Sequence, residues 1–456
     1  MNWKKSKFAV AILLGGTIAS WSPSYAGNEA MMELLKVLRD NGTIDAQTYE
    51  LLRQSATVEE EQKTEAVQKQ IEEATKDSVK VTTKGKLQFE DPNGDWQWRI
   101  GGRIMVDAAA YDEDQVDLGS GAEIRRARLY MSGKWLKAWA FKLQYEFANT
   151  DDPIDGIRDA YIQYLGFKPT NLTIGNYKEP FSLEELTSSK YITFMERALP
   201  NALVPGRALG FGFHTYGDKW TLATGIFGEG VDTDVETDDG REGSSGLGLT
   251  GRVTFSPIHE DARAIHLGLS LSSRSTNDVE KVRFRARPES HVTNTRLIDT
   301  GTLDADTISR IGVAAAGTWG PFSLQGEYLA AEVERAIAGK SDVDFDGFYI
   351  QGSYFLTGES RPYNFKKGVF DGIKPKSVVG KGGRGAWEIA ARFSNLNLSD
   401  GDINGGEQDD FTLGLNWYPT RNLRFMANYI KVLDVDGGDF NGDEPSVFQV
   451  RAQAAW

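Results

Sequence analysis

From Trp96 onward the chain alternates apolar and polar residues in short runs separated by Gly, Asp, Asn and Pro. In AFKLQYEFA, Phe141, Leu143, Tyr145 and Phe147 share one parity, and Lys142, Gln144 and Glu146 the other. AIHLGLSL places Ile265, Leu267, Leu269 and Leu271 against His266, Gly268 and Ser270. TLGLNWY, NLRFMANY and the terminal SVFQVRAQAAW repeat the pattern. A period of two predicts strands with one wet and one apolar face. About sixteen such segments start near residues 96, 122, 138, 156, 170, 208, 219, 244, 263, 306, 321, 345, 385, 410, 422 and 446.

Their connections mostly alternate short and long. Gly217-Asp218 and Trp319-Gly320-Pro321 are short; 178–207, 229–243, 274–305, 396–409 and 433–445 are long. An even strand number with alternating connection lengths predicts an all-β, antiparallel transmembrane β-barrel. Its last strand pairs with its first, and Trp456 falls in an interfacial aromatic belt. The competing architecture is a soluble β-sandwich or propeller. Residues 358–384 break the alternation, being long where a short turn is due, and rich in Lys and Gly.

Before the barrel the period changes. Met31, Leu34, Leu35 and Leu38 form a helical stripe that stops at Asn41-Gly42. Further helices are expected near Ala46–Gln54 and Val58–Thr75. Their apolar stripe is thin, which suits either a self-associating coil or a solvated spacer. Ahead of them Lys4, Lys5 and Lys7 precede an apolar run, and Ser24-Tyr25-Ala26 offers a cleavage site. Three segments are therefore expected: a cleavable signal peptide at 1–26, a periplasmic helical or coiled-coil segment at 27–80, and a barrel at 81–456.

Composition narrows the chemistry. There is no cysteine, so disulfides and thiolate sites are excluded, and four histidines leave little room for a metal site. The net charge of −14 opposes a nucleic-acid partner. No Gly-x-Ser-x-Gly, His-Glu-x-x-His or phosphate loop occurs. DGDING at Asp400–Gly405 matches half a calcium loop, but Phe411 stands where Glu is needed, so a solvated acidic loop is favoured. Acidic loops are also expected at 232–242 and 434–443. No catalytic residue, metal or cofactor is called for, and the chain reads as a channel rather than an enzyme.

Specificity then rests on charges in the lumen. By parity Arg103, Arg126, Arg128, Arg252 and Arg392 point inward, while Arg125 has the lipid parity. The 178–207 connection carries Phe181, Leu183, Leu186, Tyr191, Phe194, Leu199 and Leu203, too apolar for a solvated loop; folded inward, it makes a constriction bearing Lys178, Glu184, Glu185 and Lys190. Asp159 and Glu184 are placed to orient basic groups. In KVRFRARPE, Arg283, Arg285 and Arg287 share one side of an extended segment, either a ladder passing an anion along or a basic loop facing lipopolysaccharide.

IGGRIMVDAAAY, IRRARLYMSG, KEPFSLEELTSSKYITFMER, YFLTGESRPY and GAWEIAARFSNL resemble the phosphate-selective porin O/P family over residues 96–456. The resemblance implies a sixteen-stranded homotrimeric outer-membrane channel of a Gram-negative cell, often preceded by a helical segment. It implies that the 178–207 loop constricts the pore, that Arg125-Arg126 are pore arginines, that the three spaced arginines form a ladder, and that the long 358–384 turn belongs to the pattern. Lys190 matches one constriction lysine, but Glu185 stands where phosphate-specific members carry another. At an effective dielectric near 20, like charges ~8 Å apart repel by roughly 2 kcal/mol before screening. An anion channel, with phosphate the leading solute, is thus expected above strict phosphate selectivity. The alternatives are a general, weakly selective porin and a barrel-borne surface-binding protein or enzyme. Lipid, lipopolysaccharide and small anions are the expected partners.

Overall fold

A computed structural model describes residues 25–75, 78–83, 86–148, 156–228, 230, 246–276 and 281–456. Most of the expected signal peptide and the 232–242 loop lie outside them. The chain divides into two compact units, Met1–Ser78 and Val79–Trp456.

In the first unit, α1 spans Tyr25–Asp40 and α2 spans Ala46–Thr75. Asp45 starts α2 by accepting the Thr48 amide at 2.7 Å. Two separate helices were expected here, and one is found. Ser55 and Thr57, which suggest a break, instead return their hydroxyls to the Leu51 and Arg53 carbonyls at 2.9 and 3.0 Å. This absorbs them into the helix. Leu35 is buried, while Met31, Leu34, Leu51 and Val67 remain exposed. Among the described residues no helix is long and apolar enough to cross a membrane.

The second unit is a closed antiparallel barrel of sixteen strands. They are β1 (Trp96–Asp112), β2 (Gly121–Trp135), β3 (Trp139–Glu146), β4 (Ile157–Phe167), β5 (Thr170–Lys178), β6 (Arg207–Tyr216), β7 (Trp220–Phe227) and β8 (Gly248–Phe255). Then follow β9 (Arg263–Ser275), β10 (Leu303–Trp319), β11 (Phe322–Arg335), β12 (Val343–Phe355), β13 (Ala386–Asp400), β14 (Ile403–Thr420), β15 (Leu423–Asp436) and β16 (Ser446–Ala455). Each pairs with its neighbours in chain order, and β16 closes on β1 from Ser446↔Asp112 to Ala455↔Arg103. Trp456 completes the seam: its amide and carbonyl exchange 3.1 Å bonds with Gly102. β1 extends past the end of β16, and there Leu87–Glu90 covers its edge, Leu87 opposite Ile100.

The barrel is inside out. Leu267, Leu269 and Leu271 are exposed, whereas His266, Ser270 and Ser272 of the same strand are buried. Leu413 and Leu415 of β14 are 47% and 42% exposed, while Thr412 and Asn416 are at most 1% exposed. Rings collect at the short-turn rim: Trp135 stacks on Trp139 at 6.5 Å, Trp139 meets Tyr164 at 4.8 Å, and Trp387 stacks on Trp417 at 5.5 Å. This is the girdle expected at a lipid–water boundary.

One expected loop is absent. Residues 396–409 continue as strand, with β13 and β14 running to a tight turn at Gly401-Asp402. The acidic DGDING is this hairpin tip. Asp402 pairs with Lys340 at 2.6 Å and Arg335 at 3.4 Å, and Asp400 accepts the Asp344 amide at 2.9 Å. The Gly and Asp that suggest a loop are the residues a two-residue turn selects.

The burial pattern yields a test. Leu269→Arg, at the middle of β9 on the apolar face, should cost about 2–4 kcal/mol, and Leu423→Arg at the rim about 0–1. Denaturant unfolding in lipid vesicles measures both.

Candidate functional site

Residues 179–206 leave β5, enter the barrel and return to β6. Phe181, Leu183, Ile192, Phe194, Met195, Leu199 and Leu203 are all buried. The loop contains the single-turn α3 (Leu183–Leu186). Its Leu183 and Glu184 amides donate to the Glu327 carboxylate at 2.7 Å each. The wall from β10 to β16 holds the rest through its loop-facing donors. Arg424 donates to the Ile192 and Thr193 carbonyls at 2.7 and 2.6 Å. Arg451 reaches Glu196 at 2.7 Å while also gripping Asp107. Arg310 reaches the Leu203 carbonyl at 2.9 Å. Charge-assisted bonds to buried carbonyls offset the desolvation of loop backbone inside a barrel. Arg392, which parity places in the lumen, is spent in the same way. It donates to the Glu196 carbonyl at 3.1 Å and pairs with Glu289 and Glu184.

The loop thus fills the lumen against one wall and leaves a passage along the other. Two spaces mark it. A central cavity of about 590 Å³ lies between the loop and the wall carrying β1 to β8. An outer basin of about 380 Å³ lies toward the long-loop rim. Arg126 and Arg197 line both. The central cavity is lined by ten Lys or Arg side chains and by two carboxylates, Asp159 and Glu185.

Those carboxylates are engaged. Asp159 binds Arg207 at 2.8 Å and also Lys142. Glu185 pairs with Lys178 at 2.6 Å and Arg197 at 3.1 Å. Burial favours its protonated form, yet Arg197 and Lys178 together hold it down at about 2. The sequence presents Glu185 as an isolated repulsive charge; in the fold it is outnumbered by its partners. Arg128 is paired with Glu146. Arg103 donates to Ser189 at 2.5 Å and Arg126 leaves a buried Nε unpartnered. Neither has a carboxylate partner among the described residues.

Arg125 is the extra residue of a β-bulge: Met105 opposes Arg126, and Val106 opposes Ile124. The bulge turns two successive side chains toward the lumen. Arg125 grips Glu196 through two bonds, of 2.8 and 2.9 Å. The three spaced arginines do lie on the exposed side of their segment, with Phe284 and Ala286 buried between them. Only Arg285 and Arg287 line the outer basin. Arg283 is tied to Asp299 through bonds of 2.7 and 2.6 Å. Their loop is held inward by Glu289, which accepts from Arg392, from Ser394 at 2.6 Å and from Thr412 at 2.7 Å.

Sequence reasoning did not name Lys142, Arg197, Arg207, Lys366 or Lys367 as pore residues. Lys142 carries the lumen parity and was legible; Lys366 and Lys367 arrive on the long turn, whose inward fold has no local signature. There the Arg252 guanidinium donates to the Gly368 carbonyl at 2.8 Å, and His266 meets the Tyr363 hydroxyl at 2.6 Å.

A closed sixteen-stranded barrel with an inward-folded loop and a polar, strongly basic passage defines a porin, a water-filled channel of the outer membrane. The family model "Phosphate-selective porin O and P" matches residues 99–456, and the chain belongs to that family. It is 27% identical to Porin O of Pseudomonas aeruginosa, over 80% of this chain and 90% of that one. It is 33% identical to a Caulobacter vibrioides protein over 80% of this chain and 74% of the relative. Among solved structures, the anion-selective porin from Comamonas acidovorans shares the fold, with TM-score 0.50, 14% identity, and 79% of this chain and all of that one covered.

Two measurements probe this geometry. Burial, with Arg103, Arg99 and Lys142 nearby, brings the Lys190 ammonium down to about 8. Raising pH through 8 removes that charge, so anion preference should fall across pH 7–9, and Lys190→Gln should remove the step in reversal potential. Glu289→Ala should untie its loop and raise single-channel conductance, because a buried anchor shared by three donors is lost.

Proposed function

We propose that the protein is a passive diffusion channel that prefers anions, phosphate among them, and that it works as a homotrimer in the outer membrane. Export by the cleavable segment at 1–26 and a periplasmic, self-associating helical segment at 27–80 complete the proposal.

One observation carries it. The whole chain has a net charge of −14, yet its central cavity is lined by ten basic and two acidic side chains. A positive lumen in a negative protein raises the local concentration of anions and depletes cations. The sequence of basic groups supports a path. Arg285 and Arg287 receive an anion at the outer basin, Arg126 passes it inward, and Arg103, Arg128 and Lys142 hold it beside Ser189. Lys366 and Lys367 meet it below. Paired cations such as Arg128 keep part of their field while their carboxylates fix their positions. Binding stays shallow enough for release, as conduction requires. The pairing also supports the weaker reading of a broadly anion-selective channel, since most of the charge is partly compensated.

In planar bilayers with a potassium chloride gradient, the reversal potential should show chloride more permeant than potassium. The double variant Arg103→Gln/Arg126→Gln should lower that ratio several-fold. Millimolar phosphate should reduce chloride current if phosphate is a preferred solute. A cation-preferring or non-conducting wild-type channel would refute the proposal.

A further inference from the structure

The central cavity brings cations and aromatic rings together. Strands β1 to β3 supply Arg103, Arg128 and Lys142; strands β4 to β6 supply Tyr161, Tyr177 and His214 beside the ion-paired Asp159, Lys178 and Arg207. Cations and rings meet in register, since Lys142 and Tyr161 are opposed residues of the β3–β4 ladder. Such residues have Cβ atoms ~5 Å apart. Tyr161 and Tyr177 pack edge to face at 6.1 Å. Among the described residues the buried Nε2 of His214 nearby has no hydrogen-bond partner. Gly212, beside them, lets the Tyr177 ring pack close against the wall, for a Cβ there would lie 2.7 Å from the Tyr177 hydroxyl.

A compact inorganic anion uses the cations only, because it has no apolar face to lay against a ring. A planar organic anion can use both cations and rings. Its carboxylate would reach Arg103, Arg126 or Lys142, and its ring would lie against Tyr161 and Tyr177. Guanidinium and ammonium groups also favour aromatic faces over saturated ones. A cavity of this size, with aromatic rings set among convergent cations, can hold a small organic anion.

We propose that the central cavity is a binding site for aromatic carboxylates, with the carboxylate on the β1–β3 cations and the ring on Tyr161 and Tyr177. This rests on the anion-channel reading and names a solute class for it. The test compares benzoate with cyclohexanecarboxylate, equal in charge and close in size, as blockers of chloride current through the full-length channel in planar bilayers. Benzoate should half-block at a concentration about five- to tenfold lower. In the Tyr161→Leu/Tyr177→Leu double variant the difference should vanish while the chloride-over-potassium ratio is kept. Equal block by the two acids in the wild type, or an undiminished difference in the double variant, overturns the proposal. The wild-type comparison decides the matter even if the double variant fails to insert. The reversal potential, taken before any blocker is added, reads the anion-channel proposal separately: that proposal can stand while the ring preference fails.

Discussion

The structure depends on one constraint: inside a bilayer, no backbone amide or carbonyl can be left to water. A closed ladder satisfies every strand, and the chain obeys it down to the Gly102–Trp456 exchange that seals the barrel. Closure fixes what each parity must do. The outward set faces lipid and becomes Leu, Val, Ile and, at the rim, Trp and Tyr. The inward set carries Arg, Gln, Asn, Ser and Thr, except where Ile308, Leu329, Phe345 and Val432 pack against Leu199 and Leu203 of the inward-folded loop. The usual relation between burial and hydropathy is reversed, and this is why an average over the composition conceals a membrane protein.

An open lumen would pass solutes without discrimination. The 179–206 loop narrows it, and the means is a division of labour among arginines. Arg310, Arg392, Arg424 and Arg451 hold loop carbonyls and carboxylates against the β10–β16 wall. Arg392 and Arg451 are also paired with carboxylates there. The β1–β8 wall keeps Arg103 and Arg126 without a carboxylate and supports Arg207 and Lys142 on Asp159. The same residue type fastens the loop on one side and, in Arg103 and Arg126, lines the cavity without a carboxylate on the other. What decides is whether a carbonyl or carboxylate of the loop lies within reach.

Strand positions were legible because a period of two is imposed on every spanning segment. The start predicted near 446 is the start found, and that near 122 is one residue off. The start predicted near 410 was late by seven because the Asp400–Gly405 turn belongs to a hairpin rising above the lipid band, where polar residues occupy both faces. The Ser55–Thr57 break was illusory because hydroxyls that can cap a helix can also bond back within it. Parity turned Arg103, Arg126 and Arg128 inward, and all three line the central cavity. It could not separate Arg392 from them, since parity gives direction and not what is met there. The pairing of Arg283 with Asp299, of Glu185 with Lys178 and Arg197, and the arrival of Lys366 and Lys367 all depend on loops folding across the lumen. Sequence spacing does not encode those contacts.

The central claim is that a net-negative chain encloses a positively charged path. Anomalous diffraction from crystals soaked in bromide, and separately in rubidium, reads that charge directly. The account predicts bromide peaks in the central cavity beside Arg103 and Arg126 and in the outer basin beside Arg285 and Arg287, with no rubidium there. Rubidium peaks in those cavities, with bromide absent, would contradict it.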